Sequence, residues 1–165
     1  VLKNSFGLIL PDKMKEEVGY LMKNVSDHRH AELSPEDMRD VFKETYVDVD
    51  KKFDVSECHF KQKDGIGAEV TIVADGKETV VDSHGNGRLN AVNHAIKKYF
   101  DLDYALDVYE EHSLSKRSDA QAISYVGIKP AGQEKLYWGA GTDDDIIKSS
   151  IDALVNAVNR YMESK

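Results

Sequence analysis

Ser83-His84-Gly85-Asn86-Gly87-Arg88-Leu89-Asn90-Ala91 joins an extended segment to an amphipathic helix, and the second half of the chain repeats this arrangement. The glycines on either side of Asn86 permit positive φ and close backbone approach, so they predict a tight bend. The following helix begins with N–H groups that have no acceptor inside the helix. A bend of this kind is able to hold an anion. Residues 85–87 are named the first corner.

A similar stretch, Tyr137-Trp138-Gly139-Ala140-Gly141-Thr142, also leads into an amphipathic helix. Residues 139–142 are named the second corner. Each helix contains the phrase Ala-Val-Asn, at 91–93 and at 157–159. The repeat predicts a duplicated unit, and we expect the two corners to share one pocket.

Three strand patterns precede each corner, because apolar and polar residues alternate and turn residues separate the runs. Asp75-Gly76 is the tight-turn signal of the first unit, and Pro130-Ala131-Gly132 is that of the second. The predicted strands are 55–63, 68–73, 78–82, 105–115, 120–129 and 135–138. The sequence therefore predicts an α+β fold with a pseudo-two-fold pair of βββα units, at about 53–101 and 102–165.

Residues 1–52 have a different pattern and predict a small helical subdomain. Pro11-Asp12 reads as a helix start, and apolar residues from Met14 onward recur at helical spacing. Residues 28–32 are polar and predict a loop. Ser34-Pro35 then supplies an N-cap and a proline at the first helical position. The pair of helices is too small for a large core of its own, so it needs a neighbour.

Composition excludes several classes of function. The formal charge of −8 and the lack of a clustered basic surface exclude a nucleic-acid partner. The chain has one cysteine, Cys58, which fits a reducing compartment and predicts a cytoplasmic protein. There is no apolar run near twenty residues, so no membrane span is expected. The first residue is Val1 rather than Met, and we expect the chain to be part of a longer polypeptide.

Catalytic and metal-binding motifs are missing from the sequence. The histidines form no pattern with metal-ligand spacing, and no nucleophile motif surrounds Cys58 or Ser113. We therefore predict no catalytic residue, no metal site and no cofactor within this chain.

The first corner instead predicts a carboxylate site, because it lacks the lysine and hydroxyl residue of a phosphate-binding loop. Asp119, or an acid of 143–145, is available for an ammonium group. Small and aliphatic residues are available for an apolar wall: Leu89, Leu106, Ala120 and Ala122. A carboxylate, an ammonium and a branched tail describe an amino acid. The alternative from the residues alone is that the corners are structural turns and the apolar residues belong to the core.

Several phrases together resemble the C-terminal part of the α-isopropylmalate synthase family. They are Val1 to Pro11, His84-Gly85-Asn86-Gly87, Tyr109-Glu110-Glu111-His112-Ser113, Asp119-Ala120-Gln121-Ala122 and Trp138-Gly139-Ala140-Gly141. They occur in the family's order and cover nearly the whole chain. The resemblance implies a linker subdomain over residues 1–52 and a dimeric, leucine-binding regulatory domain over 53–165.

The resemblance also implies which residues bind leucine as a feedback inhibitor. The implied set is Gly85, Asn86, Gly87, Leu89, Asn90, Leu106, Tyr109, Ser113, Ala120, Ala122, Gly141 and Thr142. The family's catalytic TIM barrel, which binds a divalent metal and condenses acetyl-CoA with 2-oxoisovalerate, is not in this sequence. We therefore expect a homodimer that acts on its own barrel in a full-length chain and has no turnover by itself.

Two alternatives remain open at this stage. In the first alternative the chain is the regulatory domain of a citramalate synthase, and its pocket binds isoleucine, which differs from leucine only in branching. In the other alternative the corners are merely turns, and the chain is a dimerisation and assembly module without a ligand.

Overall fold

The computed structural model describes residues 7–62, 64–114 and 121–165. Two helices come first, and two βββα units follow them. The helical subdomain contains α1 (Asp12–Arg29) and α2 (Pro35–Phe42), which continues as a π-helical turn (Lys43–Val47). The first unit contains β1 (Phe53–Gln62), β2 (Ile66–Ala74), β3 (Lys77–Gly85) and α3 (Arg88–Phe100). The second unit contains β4 (Tyr104–Ser113), β5 (Ala122–Pro130), β6 (Tyr137–Asp143) and α4 (Ile146–Glu163).

Each unit has one antiparallel three-stranded sheet with its strands in chain order, so the predicted α+β fold is confirmed. The turn between β2 and β3 is the predicted one, with positive φ at Asp75 and Gly76. Both sheets also carry a bulge at the same place in their first strand, next to Val55 in β1 and next to Leu106 in β4. The matching bulges align Val55, Cys58 and Phe60 with Leu106, Tyr109 and Glu111.

The inner face of each sheet packs against its own helix, and the apolar residues of both units form one core. Each helix is also tied to the first strand of the other unit. The Asn159 side chain of α4 accepts hydrogen bonds from the N–H groups of Lys52 and Phe53 and donates to the Phe53 carbonyl. Tyr104 in β4 donates a hydrogen bond of 2.6 Å to Asn93 in α3. These contacts cross between units and join them at the two strand starts.

The repeated Ala-Val-Asn phrase does not mark equivalent helix positions. Ala91 lies in the first turn of α3, whereas Ala157 lies in the C-terminal half of α4. The two asparagines nevertheless contact the first residues of the two equivalent strands, Tyr104 and Phe53. The duplication is therefore visible in the two sheets and in the order of the elements, and not in the repeated phrase.

The helical subdomain covers the outer face of the second sheet. Met14 and Val18 of α1 and Phe42 of α2 are buried with Tyr125 and Trp138 of that sheet. Polar contacts add to this packing, because Asn156 of α4 donates a hydrogen bond of 3.0 Å to the Val47 carbonyl and Arg160 lies 3.8 Å from the Glu17 carboxylate of α1. The prediction that these helices need a neighbour is confirmed.

The predicted helix starts are confirmed, and one predicted loop is shorter than expected. α2 begins with a capping box in which Ser34 and Asp37 exchange side-chain to backbone hydrogen bonds. α1 continues through His28 to Arg29 and ends at His30 in the left-handed conformation, so the predicted loop at 28–32 starts too early. None of the helices in the described part of the chain is long and apolar enough to cross a membrane.

Candidate functional site

At one position of the first corner, only glycine leaves room for the neighbouring backbone. Positive φ is not the reason for glycine at this corner. Gly85 ends β3, and a Cβ there would lie 2.7 Å from the backbone nitrogen of Ala91. Gly87 has φ −153°, which any residue adopts, and a Cβ on it would meet nothing within 4 Å. The expectation of positive φ at this corner is therefore wrong. The space around Gly87 remains open.

The N-terminus of α3 is open to a ligand at this corner. Gly87 is the N-cap, and no side chain among the described residues caps it. The Asn90 side chain turns back and accepts a hydrogen bond of 3.0 Å from the N–H of Asn86. The N–H groups of the first turn of α3 are thus left for an external acceptor, in the field of the positive end of the helix dipole.

The second corner is not a turn. Gly139 and Gly141 lie inside β6, and α4 packs directly on them: a Cβ at Gly141 would lie 2.7 Å from the nitrogen of Ala153. The predicted strand at 135–138 therefore begins later and runs further, to Asp143, and these glycines serve close helix-to-strand packing. The N-cap of α4 is Asp145.

Asp145 closes the N-terminus of α4 with its own carboxylate. Its Oδ1 accepts hydrogen bonds from the N–H of Ile147 at 2.9 Å and of Lys148 at 3.4 Å. The N–H of Asp145 in turn donates to Asp143 at 2.9 Å, and this bond lowers the pKa of the Asp143 carboxyl. The two helices therefore differ at their starts, since α4 is capped by an acid and α3 by a glycine.

Residues of the predicted site on β4 and β5 share the inner face of the second sheet. Tyr109, Ser113 and Ala122 lie there, since Ser113 pairs with Ala122 and Tyr109 with the buried Val126. Leu106 packs against the common core from the same side. Burial, and next a hydrogen bond to Glu111, raise the pKa of the Tyr109 phenol to about 12.

A groove lies between β1 and the start of α4 and encloses a cavity of ≈ 200 Å³. It is lined by Val55, Cys58 and Phe60 of β1, by Asp145 and by Ile147. β1 starts beside Asn159, near the C-terminal end of α4, and reaches Asp145 by Phe60. The strand and the helix therefore run in opposite directions along this groove.

The pseudo-two-fold relation makes β4 and the start of α3 the counterparts of β1 and the start of α4. In this alignment Leu106 and Tyr109 of β4 correspond to Val55 and Cys58 of β1. The N-cap Gly87 of α3 corresponds to the N-cap Asp145 of α4.

β4 begins at Tyr104, whose hydroxyl donates a hydrogen bond to the Asn93 side chain of α3. Further along β4, the Tyr109 hydroxyl lies beside Ser124 of β5 and Ser150 of α4 as well as Glu111. Among the predicted site residues on these elements, Gly85 packs closely against Asn90, and Leu89 and Leu106 both pack against the common core.

Two residues of the predicted site, Gly141 and Thr142, lie within β6 rather than at a bend. Thr142 lies on the outer face of the second sheet and lines a cavity of ≈ 180 Å³ with Phe42 and Ile123. Gly141 faces inward but lies beneath α4. The second corner is therefore not the bend that was expected to close the pocket, and the cavity beside Thr142 is lined by no residue of the first corner. Ala120 lies outside the described residues, as does Asp119.

Glu111 is a residue that the sequence analysis did not select. It follows Tyr109 by two positions, so strand alternation places both on the inner face, and the Tyr109 hydroxyl donates a hydrogen bond to its carboxylate. The alternation in Tyr109-Glu110-Glu111 was the available signal. Within residues 7–62, 64–114 and 121–165, no group of three or more histidine, cysteine or acidic side chains is arranged to hold a metal ion.

Comparison with known proteins gives the family of this fold. Residues 32–162 match the family model described as the LeuA allosteric (dimerisation) domain. The chain belongs to this family. The match spans all of α2, the π-helical turn and both βββα units up to the last turn of α4.

Relatives named 2-isopropylmalate synthase cover nearly the whole chain. The protein of Desulfitobacterium hafniense is 38% identical over 99% of the chain, and that of Helicobacter hepaticus is 35% identical over 98%. The protein of Clostridium acetobutylicum is 34% identical over 97%. The chain spans only 29 to 30% of the length of these relatives. It therefore corresponds to the regulatory dimerisation region of such proteins.

Proposed function

We propose that this chain is the leucine-binding regulatory region of a cytoplasmic 2-isopropylmalate synthase, and that leucine acts there as feedback inhibitor. The proposal rests on one observation above the others. α3 begins at an open glycine N-cap, whereas the equivalent α4 is closed by Asp145. An open helix start presents N–H groups and a partial positive charge to a carboxylate, and membership of an allosteric domain family supports a regulatory ligand.

In this proposal the leucine carboxylate accepts hydrogen bonds from the first-turn N–H groups of α3. Its branched side chain packs against Leu89 and Leu106, which both contact the shared apolar core. Tyr109 borders the polar end of the ligand. Gly87 keeps the approach to the N–H groups clear, because it has no side chain and open space around its Cα.

The rest of the proposed activity belongs to the full-length protein. Its catalytic barrel would hold a divalent metal and condense acetyl-CoA with 2-oxoisovalerate, and the chain described here supplies a homodimeric regulatory unit. Inhibition requires that leucine bind unequally to two arrangements of this unit relative to the barrel. The helical subdomain, which packs on the outer face of the second sheet, is the connection through which such a change passes.

Isothermal titration calorimetry tests the ligand. We expect leucine to bind more tightly than isoleucine, by an amount of about 1 to 3 kcal/mol, and alanine and lysine to bind weakly or not at all. Leucine binding no tighter than alanine would contradict the proposal. Tighter binding of isoleucine would favour a citramalate synthase regulator instead.

The assembly alternative has its own test on the same sample. Analytical ultracentrifugation reports the dimer, and thermal unfolding with each branched-chain amino acid reports the ligand, since a ligand selective for the native state raises Tm. A complete dimer whose Tm does not respond to any of them would identify an assembly module.

A further inference from the structure

A cavity of ≈ 180 Å³ lies between the helical subdomain and the outer face of the second sheet. Ile123 of β5 and Thr142 of β6 are paired neighbours, so their side chains line the cavity from the same face of the sheet. The helical subdomain lines it with Phe42 and Val47, and the segment before α1 lines it with Leu8. The cavity therefore has an apolar interior and touches both parts of the molecule.

Two cationic residues of the helical subdomain also line this cavity. Arg39 and Lys43 are four positions apart, so their side chains lie on one face of the helix. Both residues are exposed, so their aliphatic stems cover the cavity while their charged groups extend towards water. Arg39 lies 3.6 Å from the Asp40 carboxylate, whereas no carboxylate among the described residues forms an ion pair with Lys43. The apolar interior thus opens beside an ammonium group.

The size and lining of the cavity limit what it is able to hold. Close-packed protein interiors contain few voids larger than a water molecule, so a void of this size is not ordinary packing. A comparable apolar cavity, of about 150 Å³, stays dry and binds benzene, because water finds no polar partners in it. The interior here therefore suits a hydrocarbon group of about six carbon atoms. The ammonium beside it suits an anionic head group.

We propose that this cavity binds an aliphatic monocarboxylate of about six carbon atoms. Its chain packs between Phe42 and Ile123, and its carboxylate pairs with the Lys43 ammonium. The site does not depend on the proposed leucine site, because it lies on the outer face of the second sheet and no residue of α3 lines it. A ligand here contacts the helical subdomain and the sheet together, so it stabilises the packing of one on the other.

An NMR titration that observes the methyl groups of Ile123 tests both binding and place. The ligands are hexanoate, hexan-1-ol, which has the same chain without the charge, and benzene, which probes the volume alone. We expect saturable shifts with all three, and hexanoate to bind about threefold to fivefold more tightly than hexan-1-ol. No shift of Ile123 with hexanoate would overturn the inference, and so would equal affinity for hexanoate and hexan-1-ol.

Thr142→Leu tests the volume, because the larger side chain fills the cavity. It should abolish the shifts with all three ligands. Thr71→Leu is the matched control, since Thr71 is half-buried on the outer face of the first sheet, and it should bind them as wild type does. Hexanoate and benzene binding by Thr142→Leu at wild-type affinity would show that the ligands lie elsewhere and would overturn the inference.

Lys43→Gln tests the charge at an exposed position, where the substitution leaves the core intact. Hexanoate should weaken about threefold to fivefold, whereas benzene should bind as in wild type. Lys23→Gln, at an exposed position of α1, is the control and should change neither ligand. Thermal unfolding without ligand checks the fold of every variant. Unchanged hexanoate affinity in Lys43→Gln would overturn the assignment of the carboxylate, whatever the behaviour of Thr142→Leu.

Discussion

Gly87 and Asp145 hold equivalent N-cap positions at the starts of α3 and α4, one with no side chain and the other with a carboxylate. The Asp145 carboxylate accepts hydrogen bonds from two first-turn N–H groups of α4, those of Ile147 and Lys148. Gly87 leaves those of α3 open. The two equivalent helices of this duplicated fold therefore start differently, one with a side-chain carboxylate as its cap and the other without a side-chain cap.

Gly87→Asp tests this difference directly. The new carboxylate would occupy the α3 N–H groups as Asp145 does in α4, so we expect leucine binding to be lost while Tm is unchanged or slightly higher. Gly19→Asp is the charge control, because Gly19 lies in α1 with nothing near its Cα, and it should bind leucine normally. Normal leucine binding by Gly87→Asp would show that the carboxylate lies elsewhere.

Asp145→Ala removes the cap of α4 and should lower the free energy of unfolding by about 1 kcal/mol. Asp145→Asn retains an acceptor for the same N–H groups and should stay within a few tenths of a kcal/mol of wild type. Urea denaturation measures both. A loss of the same size in the two variants would mean that the charge of Asp145, and not its hydrogen bonds, supports the helix.

Gly139→Ala tests the close packing of α4 on β6. The added Cβ would overlap backbone atoms of α4, with Ala157 Cα only 2.9 Å away, so we expect a loss of about 3 kcal/mol or failure to fold. Gly67→Ala is the matched control in another strand, since its nearest neighbour is the Lys61 carbonyl at 3.6 Å. Thermal unfolding should show a large decrease in Tm for the first variant and little change for the second.

Asp152→Asn tests an unfavourable charge in α4. Burial raises the pKa of the Asp152 carboxyl, and this effect exceeds the influence of Lys51 and Lys148. A carboxyl pKa that is higher in the folded state means that ionisation destabilises the fold, so wild type loses stability as pH rises through that pKa. We expect Asp152→Asn to be more stable than wild type at neutral pH and equal to it below the ordinary carboxyl pKa. Glu16→Gln, at an exposed position of α1, is the control for removing one carboxylate from a helix, and urea denaturation at several pH values measures both variants.

The element order could be predicted from the sequence because local signals agree with each other. Asp75-Gly76 predicts a tight turn and forms one with positive φ at both residues, and Ser34-Pro35 predicts the start of α2 and caps it. Alternating apolar residues place Val70 and Ile72 on a buried strand face, as the structure does. These features depend on residues close in sequence.

The structural role of the glycines could not be predicted from the residues next to them. Gly139 and Gly141 resemble a bend in sequence, but they lie in a straight strand because a helix packs on them without room for a side chain. A single sequence does not distinguish glycine needed for positive φ from glycine needed for close packing. For the same reason the sequence does not predict the sheet face on which the Thr142 side chain lies, because that face depends on where β6 begins.

An amide NMR titration of the chain with leucine tests the central claim most directly, because it reports both binding and place. The account predicts saturable shifts that are largest for the amides of Arg88, Leu89 and Asn90 and small for those of Ile147 and Lys148. Shifts centred on Ile147 and Lys148, or no shifts with leucine at all, would contradict it.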